Sequence, residues 1–226
     1  WQEIIDTLPK YEATEDGDMR EWQWPGLTQR YNHRHLSHIY PMFPGREIVK
    51  GVAPKELTDQ FELAVDKRLL GAQTGWSLAH MACINARFER PQKALECLDI
   101  MCRACLTKSF FTLHNDWRNM GQTLYRDNGA FAPVQLDASM GVVGAMQEML
   151  LFAQPECVKL LSALPERWNQ GKARLRYMQG EVEMTWDKQA GTLCVEFRPD
   201  RAAEVKVLLP EEWAEGLRYE DGTSFV

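Results

Sequence analysis

Between Lys55 and Leu70 the apolar positions of KELTDQFELAVDKRLL recur every three or four residues, at Leu57, Phe61, Ala64/Val65 and Arg68/Leu69, and Gly71 follows as a stop. That period predicts an amphipathic helix. Gly75 to Arg90 predicts a second, with Trp76, Ala79, Cys83, Ala86 and Arg87 along its faces, and Gln92 to Lys108 a third, with Leu95, Leu98, Met101, Cys102 and Cys105. The short link Glu89-Arg90-Pro91 makes the last two an antiparallel helix hairpin. Helical spacing resumes from Ala138 to Phe152. After Leu164-Pro165 the pattern changes to alternation: Ala173–Met178, Glu181–Trp186, Thr192–Phe197 and Glu204–Leu209 predict strands of one small antiparallel sheet, with MQGE and DKQAGT as turns. The expected fold is mainly α with a C-terminal β segment. The expected boundary near residue 168 divides a helical unit, 1–167, from a β unit, 168–226. Paired helices wound about an axis, as half of an α-toroid, fit this order; periodicity alone also admits a bundle or a solenoid.

One stretch has no period. Residues 109–137, SFFTLHNDWRNMGQTLYRDNGAFAPVQLD, mix aromatic, polar and turn residues. A loop of this length inside a compact domain is usually functional or disordered. Phe110, Phe111, Trp117, Tyr125 and Phe131 argue against disorder.

Composition removes several functional classes. The 32 acidic and 26 basic side chains are interspersed, giving a net charge of -6 without a basic block that could follow a phosphate backbone. Nucleic acid is therefore not expected as a partner. No apolar run reaches the roughly 20 residues of a membrane span, so no membrane partner is expected. No P-loop, dinucleotide, GxSxG or HExxH fingerprint is present, and no cofactor is expected. Cys102-Arg-Ala-Cys105 has redox or half-zinc-site spacing, yet no second CxxC answers it, and burial as small apolar side chains accounts for most of the cysteines. Trp1-Gln-Glu-Ile-Ile-Asp-Thr-Leu resembles the tail of an amphipathic helix, so the chain is expected to be a piece of a longer polypeptide. Half a barrel made alone would leave apolar helix faces bare, and a homodimer is one expected way to cover them.

The segment NHRHLSHIYPMFPG, residues 32 to 45, concentrates the candidate chemistry. His33, His35 and His38 offer three nitrogens to a metal, although Arg34 opposes a cation. His38 equally suits packing of a turn before Pro41. Arg34 and neutral imidazoles also suit vicinal sugar hydroxyls, since they supply forked donors and donor–acceptor pairs. Asp137 precedes a predicted helix, where it serves as N-cap, as a pocket carboxylate, or both. Glu21 stands beside Trp22 and close to Trp24 in GDMREWQW, an arrangement found both in sugar sites and at ordinary helix ends. His114, Asn115, Asp116 and Trp117 alternate polar and aromatic groups, as in a wall around a polyol.

Together, GDMREWQW, NHRHLSHIYPMFPGREI, TGWSLAHMACINARF, VQLDASMGVVGAMQEMLLF and LLSALPERWNQGKARLRYMQGEVEMTW resemble glycoside hydrolase family 95, the inverting α-L-fucosidases, some of which act as α-L-galactosidases. The resemblance runs in order along nearly the whole chain. It implies the C-terminal half of an (α/α)6 barrel, followed by the start of a β domain. It implies that Arg34 and His35 bind the fucose-like ring and that Asp137 supports activation of the attacking water. His114, Glu21 and Trp117 become further substrate-binding candidates. No metal and no cofactor are implied. In place of the family's QIDGN this chain has QLDAS, so Ala138-Ser139 follow the carboxylate. The family's N-x-N pair and the SPE glutamate taken as general acid are expected upstream of Trp1, in a missing N-terminal part of the same enzyme. Two other functions remain to be set against this one: a non-catalytic sugar-binding or helical interaction module, and a metal-binding helical protein using His33, His35 and His38.

Overall fold

The helix beginning at Gly75 is the most enclosed helix among the described residues. In the computed structural model, which describes residues 1–121, 132–155, 157–202 and 204–214, the helices are α1 (Gln2–Thr7), α2 (Lys55–Asp66), α3 (Gly75–Arg87), α4 (Pro91–Ala104), α5 (Leu136–Leu150) and α6 (Glu211–Ala214). α3 packs between α4 and α5. Eleven of its residues are buried, so it lacks the polar face that α2 and α4 keep. Its start is fixed by Thr74, whose amide donates to Ser77 Oγ at 2.8 Å in a capping box. The predicted hairpin forms, with Pro91 at the first position of α4, where its missing N–H loses no hydrogen bond.

Two expectations are corrected. α5 begins two residues before Ala138 and stops at Leu150, because Leu151–Gln154 is a strand, β1, paired antiparallel with β2 (Cys157–Leu160). The apolar run Leu150-Leu151-Phe152-Ala153 suits a buried strand as well as a helix end, and periodicity does not separate them. The predicted four-stranded sheet is three-stranded: β3 (Gln170–Tyr177), β4 (Gly180–Asp187) and β5 (Thr192–Pro199) form two hairpins in register. The fourth strand, β6 (Lys206–Leu208), lies parallel to β2, with Val207 opposite the buried Val158. The first described strand therefore begins at Leu151. Residues 122–131, which include Tyr125 and Phe131 of the aromatic stretch, lie outside the described residues.

The helical core holds Ile39, Met42, Phe61, Phe88 and Met149; the strand core holds Val158, Leu160, Val182 and Met184. Trp168 packs against both, and its carbonyl accepts the Trp186 indole N–H at 3.0 Å. Two buried cations tie the layers together. Lys159 of β2 donates to the Lys50 carbonyl at 2.6 Å and pairs with Glu89. Arg87 of α3 pairs with Glu148 of α5 and stacks on Phe152, 4.2 Å from the ring centre. Burial pushes the thiols of Cys83, Cys97 and Cys105 up to about 12, whereas Cys102 faces solvent. On the outer side of α5, Leu136, Met140, Val143 and Met146 form an exposed apolar stripe. No helix among the described residues is long and apolar enough to cross a membrane.

Candidate functional site

The starts of α3 and α5 are laced to the aromatic segment. Gly75 N–H donates to the His114 carbonyl at 3.0 Å and Trp76 N–H to Gln135 Oε1 at 3.0 Å. His114 N–H donates to Pro133 and Gln135 N–H to Thr112, so two short extended pieces form a strap beneath both helix ends. Thr112 Oγ1 adds a hydrogen bond to the Gln135 carbonyl and lies 2.7 Å from Ser139 Oγ. The strap leaves no room for a side chain at Gly75. An added Cβ would stand 2.5 Å from the Leu113 carbonyl oxygen and 2.9 Å from Gln135 Oε1. Gly75→Ala is accordingly expected to lower stability by about 1–3 kcal/mol through overpacking, read as a lower urea midpoint with unchanged slope.

Asp137 is the second residue of α5, exposed, with Oδ1 accepting the Ala138 N–H at 2.9 Å. The N-cap position belongs to Gln135, not to Asp137, because the helix starts earlier than its apolar period suggested. The carboxylate still sits in the first turn, where the helix dipole favours negative charge.

The histidine segment reaches the same end of the helical layer. Leu36 and Ile39 are buried and plug the chain into the helical core. The rings then form a tilted ladder: His33 to His35 at 4.9 Å, His35 to Trp76 at 5.1 Å, Trp76 to His80 at 6.4 Å, and His80 to Phe43 at 5.6 Å between centroids. Arg34, partly buried, lies within this ladder's loop. His35 thus rests on the residue after Gly75. Ala138, next to Asp137, packs against Gly75 itself, 3.5 Å from the position of an added Cβ. The first turn of α3 is the common neighbour of both.

Burial, followed by the charges of His33 and Arg34, lowers the pKa of His35 despite the opposing pull of Glu21. Burial takes His38 and His80 down to about 4, assisted by Arg68 and by His35 respectively. These imidazoles are therefore neutral at pH 7, each with one donor and one acceptor nitrogen. Of the three only His35 is exposed, both ring nitrogens of His38 and Nδ1 of His80 being buried, and a neutral imidazole at His35 suits hydroxyl groups better than a charged ligand. Among the described residues no three His, Cys, Asp or Glu side chains are grouped to hold a metal ion.

The other candidates are distributed around this site. His114 supplies its carbonyl to Gly75, and its Nδ1 meets Asn115 Oδ1. Trp117 is tied to the end of the α4 hairpin, its Nε1 donating to the Leu106 carbonyl at 3.3 Å and its ring under Arg118. Glu21 lies beneath the histidine segment, paired with Arg68 at 2.8 Å. Three participants had no individual signal in the sequence. Trp76 read as part of a helix face, Gln135 as a loop residue, and Arg68 as one more position at helical spacing.

The chain matches the model of the glycosyl hydrolase family 95 catalytic domain over residues 1–150, ending where α5 ends. It is 31% identical over 195 residues to alpha-L-fucosidase 2 of Arabidopsis thaliana, a match covering 84% of this chain and 22% of that protein. It is 26% identical over 190 residues to probable alpha-fucosidase A of Aspergillus niger, covering 76% of this chain and 22% of that protein. With probable alpha-fucosidase A of Aspergillus oryzae the identity is 25% over 213 residues, covering 83% and 28%. The chain therefore spans between about a fifth and just over a quarter of the length of these relatives.

Proposed function

This chain belongs to glycosyl hydrolase family 95, and on that footing we propose that it is part of an inverting α-L-fucosidase acting on fucose-containing oligosaccharides, with related α-L-galactosides as the alternative substrate. The observation that carries the proposal is the convergence on the first turn of α3, where the tilted ring of His35 lies against Trp76 and the Asp137 helix start packs beside Gly75. Arg34 and His35 bind ring hydroxyls, and the faces of Trp76 and His35 meet the apolar side of the sugar. Asp137 assists the base that takes the proton of the attacking water as the water's oxygen bonds to the anomeric carbon. The leaving oxygen takes its proton from an acid supplied by the remainder of the enzyme, roughly 6.5–9.5 Å from the base in an inverting site. Glu21, already engaged by Arg68, supports the histidine segment from below, while His114 and Trp117 contribute to the wall.

In this proposal residues 1–167 form the C-terminal half of an (α/α)6 barrel and residues 168–226 a β domain. The exposed stripe Leu136, Met140, Val143 and Met146 is the surface that further helices of the same enzyme, or a second copy in a homodimer, would cover. The test is hydrolysis of an α-L-fucoside by the complete polypeptide, followed by proton NMR of the released sugar. β-L-fucose is expected to appear first and to mutarotate afterwards. Initial release of the α anomer would overturn inversion, and failure to release fucose would overturn the substrate assignment.

A further inference from the structure

The segment from Glu21 to Leu36 contains no helix or strand, so its own backbone does not set its position. What holds it comes from the end of α2. Lys67 and Arg68 diverge: Lys67 turns outward to Asp16 and Asp18, at 3.0 and 2.7 Å, while Arg68 turns inward and is 2% exposed. The Arg68 guanidinium donates to Glu21 at 2.8 Å, to the Arg30 carbonyl, and to the His33 carbonyl at 3.4 Å. Leu69 N–H donates to the Tyr31 carbonyl at 3.2 Å, and Gln73 Nε2 reaches the His33 carbonyl at 3.5 Å. The carbonyls of Arg30, Tyr31 and His33 are thus gripped shortly before the ring of His35.

Stability is a weak explanation for such a pair. Glu21 is only 6% exposed, and two charges taken out of water lose about as much in desolvation as they gain in attraction. Apolar residues of similar volume would serve a core as well. They would lack the planar fork, whose donors point in fixed directions and meet a carboxylate and two carbonyls together. We propose that Arg68 and Glu21 are a positioning pair that sets the His33–His35 segment against Trp76 and thereby fixes the affinity of the sugar site. The assignment of the ligand rests on the fucosidase proposal; the positioning of His35 does not.

The two are tested separately on the full chain. Removing one partner alone would strand a buried charge, so the variants are the double apolar replacement Arg68→Met/Glu21→Leu and the charge-preserving Arg68→Lys. The first readout is NMR of the His35 ring protons, whose ring lies 5.1 Å from that of Trp76 and is expected to carry its ring-current shift. The second is titration with L-fucose, and thermal melting controls for folding. Both variants are expected to melt within a few degrees of the wild type, to lose the His35 shift, and to bind L-fucose at least tenfold more weakly. A native His35 shift in the double variant would overturn the positioning role, as would a shift lost only in parallel with global melting. A lost His35 shift in variants of a chain that does not bind L-fucose would overturn the ligand assignment and leave the positioning role standing.

Discussion

Asp137→Asn is expected to lower turnover of an α-L-fucoside by about two to four orders of magnitude in the complete enzyme, the usual worth of positioned acid–base catalysis. The substitution is nearly isosteric. Its amide oxygen can still accept the Ala138 N–H, so the first turn of α5 keeps its hydrogen bond. What disappears is the capacity to take a proton, together with a negative charge at a helix start worth about 0.3–1 kcal/mol. Folding should therefore survive, and the loss should fall on kcat with little change in KM, since Arg34 and His35, the proposed hydroxyl-binding groups, lie on another segment. Steady-state kinetics of the variant beside a melting curve decides the matter. Turnover close to wild type would remove Asp137 from the chemistry.

Acidification is expected to produce the second large effect. His38 and His80 are held at about 4 by burial, well below the 6.5 of an exposed imidazole. Arg68 pushes His38 in the same direction while Glu21 and Asp18 oppose it; His35 does so for His80, against a hydrogen bond with the Phe43 backbone. Above pH 6.5 both states carry neutral rings and neither histidine affects stability. Between 6.5 and 4 the unfolded chain binds protons that the folded chain refuses, so stability falls as pH falls. The limit is on the order of 3 kcal/mol for each histidine. Neither His38 ring nitrogen has a hydrogen-bond partner among the described residues, so a proton there would meet no acceptor. Asp18 behaves differently. Burial would raise its carboxyl, but hydrogen bonds from Lys67, Thr14 and Tyr31 outweigh that and hold it low, so its contribution is lost only at more acidic pH. Urea midpoints measured from pH 7 to 4 should decline from about 6.5 downward, and His38→Gln/His80→Phe should flatten the decline. A flat wild-type profile would contradict the burial of these rings.

Much of the fold is legible because its signals are local. α2, the α3–α4 hairpin and the three strands of the antiparallel sheet each carry their own period within a dozen residues. β1 and β2 do not: β1 prolongs the apolar run of α5, and β2 is four buried residues long. The partner of β6 is fixed by tertiary contact, which no period reports. The site divides in the same way. Arg34, His35 and Asp137 stand out as polar groups placed where an ordinary turn does not need them. Trp76 and Arg68 are individually unremarkable, and their roles arise from neighbours far along the chain, Glu21 lying 47 positions before Arg68. Helical spacing grouped Arg68 with Leu69 near the end of the predicted helix, but the helix stops at Asp66, and Arg68 is buried by its contacts with Glu21 and the histidine segment, which no period reports.

The parallel pairing of β2 with β6 has a consequence for how the molecule assembles. Parallel neighbours cannot be joined by a tight turn, and here the crossover between Leu160 and Lys206 contains the whole antiparallel sheet. Helix hairpin and strand hairpins can form early, from contacts close in sequence, whereas β6 must wait for that crossover. Until it arrives, β2 is an edge rather than a central strand, and Val158 and Leu160 present an apolar, unpaired backbone to any other extended chain. During synthesis β6 leaves the ribosome after the other described strands, so aggregation competes with folding most strongly in that interval.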